Sequence, residues 1–110
     1  MNDCVFCAII ERQIPSEIVS ENNDIIVIKD RAPKAPIHYL IIPKKHIKDI
    51  QSFAPQECCY GSKMMRMAQT LSSEIAGASE FKFLINNGHN AGQRVFHLHA
   101  HFLAGTLFTD

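Results

Sequence analysis

Apolar residues along this chain fall into short blocks separated by turn-forming residues, and the blocks differ in period. Ile25-Ile26-Val27-Ile28 within Asp24–Lys29 and Tyr39-Leu40-Ile41-Ile42 within His38–Pro43 are apolar runs of strand length, and we read both as buried strands. Glu17 to Ser20 and Phe81 to Ile85 are shorter strand candidates, Asn22-Asn23 is a turn, and Asp30 to Pro36, with prolines at 33 and 36, is a rigid loop. Met64, Ala68, Leu71 and Ile75 recur at helical spacing, so a long helix is expected from Pro55, which suits a first turn, to about Ala76, with Gly77 ending it. Met64, Met65 and Met67 are expected as core filler on that helix, and vicinal Cys58-Cys59 as structural residues pointing different ways. A short helix near Cys4 carries Val5, Phe6, Ile9 and Ile10 as its apolar stripe; Asp3 would cap it and Pro15 stop it. The pattern is a five-stranded meander with one long helix inserted, an α+β class.

The last strand candidate, Phe96-His97-Leu98-His99-Ala100-His101-Phe102-Leu103, differs from the others. Alternate side chains of a strand point to opposite faces, which places Phe96, Leu98, Ala100 and Phe102 on one side and His97, His99 and His101 on the other. Packing gives no reason for three titratable rings in a row. They cannot share one zinc, because residues four apart on a strand are separated by ~13 Å and zinc–nitrogen bonds are only ~2.0–2.1 Å. The three therefore have separate jobs, and the middle ring is placed to act as a nucleophile or base.

Composition narrows the function classes. At 110 residues the chain has the size of one domain, spanning 1–110. Eleven basic and eleven acidic residues give a formal net charge of zero, without the basic footprint of a nucleic-acid binder. No basic segment followed by an apolar run opens the sequence, and no apolar stretch nears membrane-spanning length, so a cytoplasmic protein is expected. In that reducing setting the four cysteines read as thiols or metal ligands rather than disulfides.

Cys4-x-x-Cys7 leaves three readings open: half of a zinc site completed by His46 and one histidine of the triplet, a redox pair at a helix start, or a structural pair. The loop Asn86-Asn87-Gly88-His89-Asn90-Ala91-Gly92-Gln93 could aim backbone amides at an anion just before the histidines. Asp30 after a strand could accept two sugar hydroxyls or simply serve its turn. Lys44 and Lys45 read as a solvated pair and His89 as a loop residue, while His38 opens a strand that could reach the triplet.

His97-Leu98-His99-Ala100-His101-Phe102-Leu103 resembles the His-φ-His-φ-His-φ-φ signature of the histidine triad (HIT) superfamily. Ile14-Pro15, Ala35-Pro36-x-His38, Ile42-Pro43-Lys44-Lys45-His46, Asn86-x-Gly88 and Gly92-Gln93 fall where its Hint branch has them, so the resemblance covers nearly the whole chain. It implies an α+β fold with a five-stranded antiparallel sheet that two subunits of a homodimer join into one. It also implies a purine nucleotide hydrolase acting at the α-phosphorus of nucleoside phosphoramidates or aminoacyl-adenylates.

Carried over by motif, His99 would attack phosphorus and form a nucleotidyl-histidine, which water then hydrolyses. The His97 carbonyl would hold His99 in its reactive tautomer, and His101 would contact the phosphate or leaving group. His38, Asn86 and Gln93, with Gly92 beside them, would orient the phosphate and the histidines. Asp30 matches the ribose-binding acid, and Phe6, Ile9, Ile28 and Leu40 match the apolar base pocket. Bacterial-type members with Cys-x-x-Cys bind structural zinc, which here implies Cys4, Cys7, His46 and His97.

Three features depart from the pattern. Arg94 stands where the animal Hint branch has a phosphate-contacting serine, Ala100 is smaller than the usual intervening residue, and the sequence has neither tryptophan nor the longer aromatic tail after Leu103. The third histidine, in place of glutamine, favours a hydrolase over the related nucleotidylyltransferases. The rival reading is a nucleotide-binding regulatory or scaffold protein with incidental turnover.

Overall fold

The computed structural model describes residues 4–109. Helix α1 spans Val5–Ile10, and the strands are β1 Ile18–Glu21, β2 Ile25–Lys29 and β3 Ile37–Pro43. Helix α2, Cys59–Glu74, follows two 3₁₀ turns, and β4 Phe81–Leu84 and β5 Ala100–Ala104 complete the order. The sheet is five-stranded and antiparallel between neighbours, as expected, but its spatial order is β1-β2-β3-β5-β4 rather than that of a simple meander. The reason is directional. Since β5 is antiparallel to both β3 and β4, those two run parallel, and parallel strands need a crossover, here built around α2. Strand β5 then fills the gap between them.

The unbroken apolar runs turn out to alternate by face. Ile25, Val27 and Ile41 join Met64, Met67, Ala68 and Leu71 of α2 in the larger core, whereas Ile26, Ile28, Leu40 and Ile42 pack with Phe6 and Ile9 of α1 on the opposite face. A strand covered on both faces has no polar position to mark its period. Leu98, Ala100 and Phe102 face the α2 core, leaving the histidines on the α1 side.

Several expectations are corrected. The Asp3 cap lies outside the described residues; Cys4 is the N-cap, its Sγ accepting the Cys7 N–H at 3.3 Å. Pro15 does not end α1. The helix closes five residues earlier, where Arg12 takes a left-handed φ of 63° and the N–H groups of Arg12 and Gln13 bond the Ile9 and Ala8 carbonyls. Pro55 opens a 3₁₀ turn, Pro55–Glu57, and the α-helix proper begins at Cys59. Met65 is 63% exposed because it lies off the stripe shared by Met64, Ala68 and Leu71. The histidine strand starts at Ala100 rather than Phe96; Phe96 is exposed beneath the Lys48 ammonium, and the Leu98 N–H is tied at 2.6 Å to the Ile47 carbonyl instead of a ladder partner.

Candidate functional site

The strand order decides what the histidines meet. Adjacent strands lie ~4.8 Å apart, so a β4 placed between β3 and β5 would have separated His38 from His101. With β3 and β5 paired, Leu40 faces His101 and Leu103 faces His38, and the two rings touch with Nε2 of His38 2.9 Å from Nδ1 of His101. Asp30, just past β2, brings its Oδ2 to 3.4 Å from the same Nε2 while Oδ1 accepts the Ala32 N–H at 2.8 Å.

His99 donates from Nδ1 to the His97 carbonyl at 2.8 Å, because a carbonyl can only accept. Its Nε2 consequently carries the lone pair. The ring is buried, packed edge-on against Phe6 with centroids 5.0 Å apart, and burial is the main cause that holds its basicity below the ordinary imidazole value. A neutral imidazole with a free Nε2 lone pair is the reactive form of a nucleophilic histidine. His101 is likewise held down by burial, and by its histidine neighbours, to about 4.

These rings line a cavity of about 500 Å³. Phe6, Ile9, Ile28 and Leu40 lie in its apolar part, and Asp30, Asn86 and Gly92 at its polar margin. Gly92 has φ 102°, and a Cβ there would meet the Asn86 side chain at 3.4 Å, so glycine is what lets that loop close against Asn86. Two expected residues are not in the wall. Gln93 is buried and braces the loop, donating to the Lys48 and Val95 carbonyls and accepting the Gly88 N–H. His38 sits behind His101 and Asp30, outside the wall that those two residues form. Sequence reading missed Lys29, Arg31 and Lys34, which join Arg94 on the cavity wall; dispersed singly between the end of β2 and the following loop, they form no motif. The Arg94 guanidinium is tethered to the His89 and Gln93 carbonyls.

On the other side of Phe6 is a second cluster. One ligand atom each from Cys4, Cys7, His46 and His97 lies within 4.8 Å of the rest, which singles out His97 as the member of the triplet involved. His97 donates from Nε2 to the Pro43 carbonyl at 2.7 Å, and this leaves Nδ1 as a lone pair aimed at Cys4 Sγ, 3.3 Å, and Cys7 Sγ, 3.5 Å. His46 Nδ1 lies 3.3 Å from Cys7 Sγ. Tetrahedral zinc with sulfur at ~2.3 Å and nitrogen at ~2.0–2.1 Å sets sulfur–nitrogen edges of ~3.6 Å. The donor set, its tautomer and its spacing all fit such an ion. The Pro43 carbonyl was invisible to motif reading because it acts through backbone alone.

The family model described as "Scavenger mRNA decapping enzyme C-term binding" matches residues 3–108. Protein HitA of Neisseria gonorrhoeae is 38% identical over 103 residues, covering 94% of this chain and 96% of its own. The chain belongs to the histidine triad superfamily. A histidine triad protein from Clostridium difficile superposes with a TM-score of 0.95 at 32% identity, covering 100% of this chain and 96% of its own. A HIT family hydrolase from Clostridium thermocellum gives 0.94 at 37% identity with the same coverage. A zinc-bound histidine triad family protein from Mycobacterium smegmatis gives 0.79 at 31% identity, covering 93% of this chain and 74% of its own.

Proposed function

We propose that this histidine triad protein is a purine nucleotide hydrolase acting at the α-phosphate of nucleoside phosphoramidates or aminoacyl-adenylates. The observation that carries the reading is the 2.8 Å bond from His99 Nδ1 to the His97 carbonyl, which leaves Nε2 as the lone pair of a buried ring on the cavity wall. His99 Nε2 attacks phosphorus. The bond from phosphorus to the leaving group breaks with its electron pair on the departing atom, giving a nucleotidyl-His99 that water hydrolyses. His101 contacts the phosphate or leaving group, Asp30 takes the ribose hydroxyls, and Phe6, Ile9, Ile28 and Leu40 enclose the base. Asn86 and Gly92 shape the phosphate end, with Gln93 and His38 holding the loop and His101 from behind. The solved HIT family hydrolase that the chain resembles supports the reaction class.

Cys4, Cys7, His46 and His97 would hold a structural zinc, which fastens α1 to the segment preceding β5. A homodimer with the sheet continued across both subunits, and a cytoplasmic location, complete the proposal; among the described residues no helix is long and apolar enough to cross a membrane.

The test is turnover of adenosine phosphoramidate by purified protein, quenched during reaction, with the nucleotidylated residue mapped by mass spectrometry. An adduct on His99 is expected. Tight AMP binding without any turnover would favour the regulatory reading, and an adduct on His101 would overturn the assignment.

A further inference from the structure

The nucleotide cavity has a small annex. Lys34, Asn86 and His101 line both spaces, and Leu84, Leu103 and the buried His38 complete the wall of the smaller one. Its volume is about 150 Å³, against about 500 Å³ for the main cavity. His99 lines only the larger space, so the annex lies past His101 from the attacking ring. An in-line displacement sends the leaving group away from its nucleophile. The annex is the space that opens there beside His101.

Charge decides what that space accepts. Of the four cations on the main wall, three are engaged: Lys29 with Glu17 at 3.0 Å, Arg31 with the Pro15 carbonyl at 3.3 Å, and Arg94 with the His89 and Gln93 carbonyls. The Lys34 ammonium makes no hydrogen bond or ion pair with a described residue, and it alone of the four lines the annex as well. Among the described residues no carboxylate lines the annex; Asp30 stands in the main cavity only. Burial chiefly, with the Lys34 charge adding to it, depresses the basicity of His38 and His101, so that ammonium is within electrostatic reach of the annex.

One amino acid presents opposite charges according to its linkage. Joined to phosphorus through nitrogen it leaves a free carboxylate, whereas joined through its carboxyl group in an aminoacyl-adenylate it leaves a free ammonium. We propose that the annex is the leaving-group subsite, and that Lys34 makes it select phosphoramidates of short amino acids, by their carboxylate, over aminoacyl-adenylates. The inference rests on the hydrolase reading above and narrows its two substrate classes to one.

Adenosine 5′-phosphoryl-N-alanine and its alaninamide counterpart differ by that one charge. The ratio of their kcat/KM values should be about three- to fivefold higher in wild type than in Lys34→Gln, the range of an exposed ion pair, and the difference should shrink in high salt. Comparison with the variant cancels intrinsic leaving-group ability. The substitution keeps the backbone N–H that bonds His38 Nδ1 at 3.0 Å, so the histidines keep their tautomers. Lys34→Arg should retain the preference and Lys34→Glu reverse it. The hydrolysis-resistant 5′-O-(alanylsulfamoyl)adenosine, which presents the ammonium, should bind Lys34→Gln more tightly than wild type in isothermal titration. A ratio unchanged by Lys34→Gln, equal losses on both substrates included, would overturn the proposal. Failure to hydrolyse either substrate would sink the hydrolase reading alone, because the relative affinities of the same ligands still read the charge.

Discussion

At the scale of single residues, this site is organised by carbonyls and amides that set tautomers. The His97 carbonyl leaves the His99 lone pair on Nε2, the Pro43 carbonyl leaves that of His97 on Nδ1, and the Lys34 amide leaves the His38 proton on Nε2. Three chemically identical side chains thereby present different nitrogens, as the three roles proposed for them require. His99→Ala should abolish turnover, by at least the ~10²–10⁴-fold typical of losing a proton-handling group, while AMP still binds, because Asp30 and the apolar wall are untouched; isothermal titration beside a turnover assay checks both. The pair of buried His38 and half-buried His101 also makes an acid-sensitivity prediction. His101 titrates at about 4 in the fold against 6.5 for the free side chain, and His38 is lowered as well. Between those values the unfolded chain takes up protons that the folded chain refuses, so stability is full above pH 6.5, falls as pH drops toward 4, and levels below that. The groups facing the pair are His99, Asp30 and Lys34, and their charges modulate the window. Urea midpoints measured from pH 7.5 to 4.5 should show the fall, and His101→Gln should show less of it.

At the scale of elements, α2 and α1 are stabilised differently. Helix α2 has sixteen residues and buries Met64, Met67, Ala68 and Leu71 against the sheet. Leu71→Ala should cost ~2–5 kcal/mol by opening a cavity, whereas Met65→Ala, outside that stripe, should fall within ~0.5 kcal/mol; equilibrium denaturation distinguishes them. Helix α1 has six residues, too few to hold itself by backbone bonds alone. It supplies Cys7 to the group of two cysteines and two histidines and Phe6 and Ile9 to the cavity wall, so its docking shapes both. Its ending at Arg12 shows why breaker residues mislead: Pro15 marked a boundary the chain had already made, through a left-handed residue that carries no sequence signal when it is not glycine.

For the whole molecule, the proposed zinc links the start of the chain to its last third through Cys4, Cys7, His46 and His97. Exhaustive chelation, or Cys7→Ser, should lower the melting temperature and weaken AMP binding as α1 loosens, whereas His99→Ala should retain full metal. Metal analysis with differential scanning calorimetry reads both; an unchanged melting temperature after complete metal removal would refute the structural role. By itself the sequence determined the element types, the face on which the histidines lie and the identity of the family, because hydrophobic period and motif spacing are local properties of a chain. Through the resemblance it also named the four candidate ligands Cys4, Cys7, His46 and His97, which the fold brings together. Only the tertiary structure decided that β5 lies between β3 and β4, since strand neighbours follow from the crossover direction of α2 and not from order along the chain. That one placement puts His38 against His101, and the folding of loop backbone around the rings then assigns each imidazole its proton. Backbone donors and acceptors are the same at every residue, so apart from the His97 carbonyl, which the family resemblance supplied, the side chains did not announce which of them would meet a histidine.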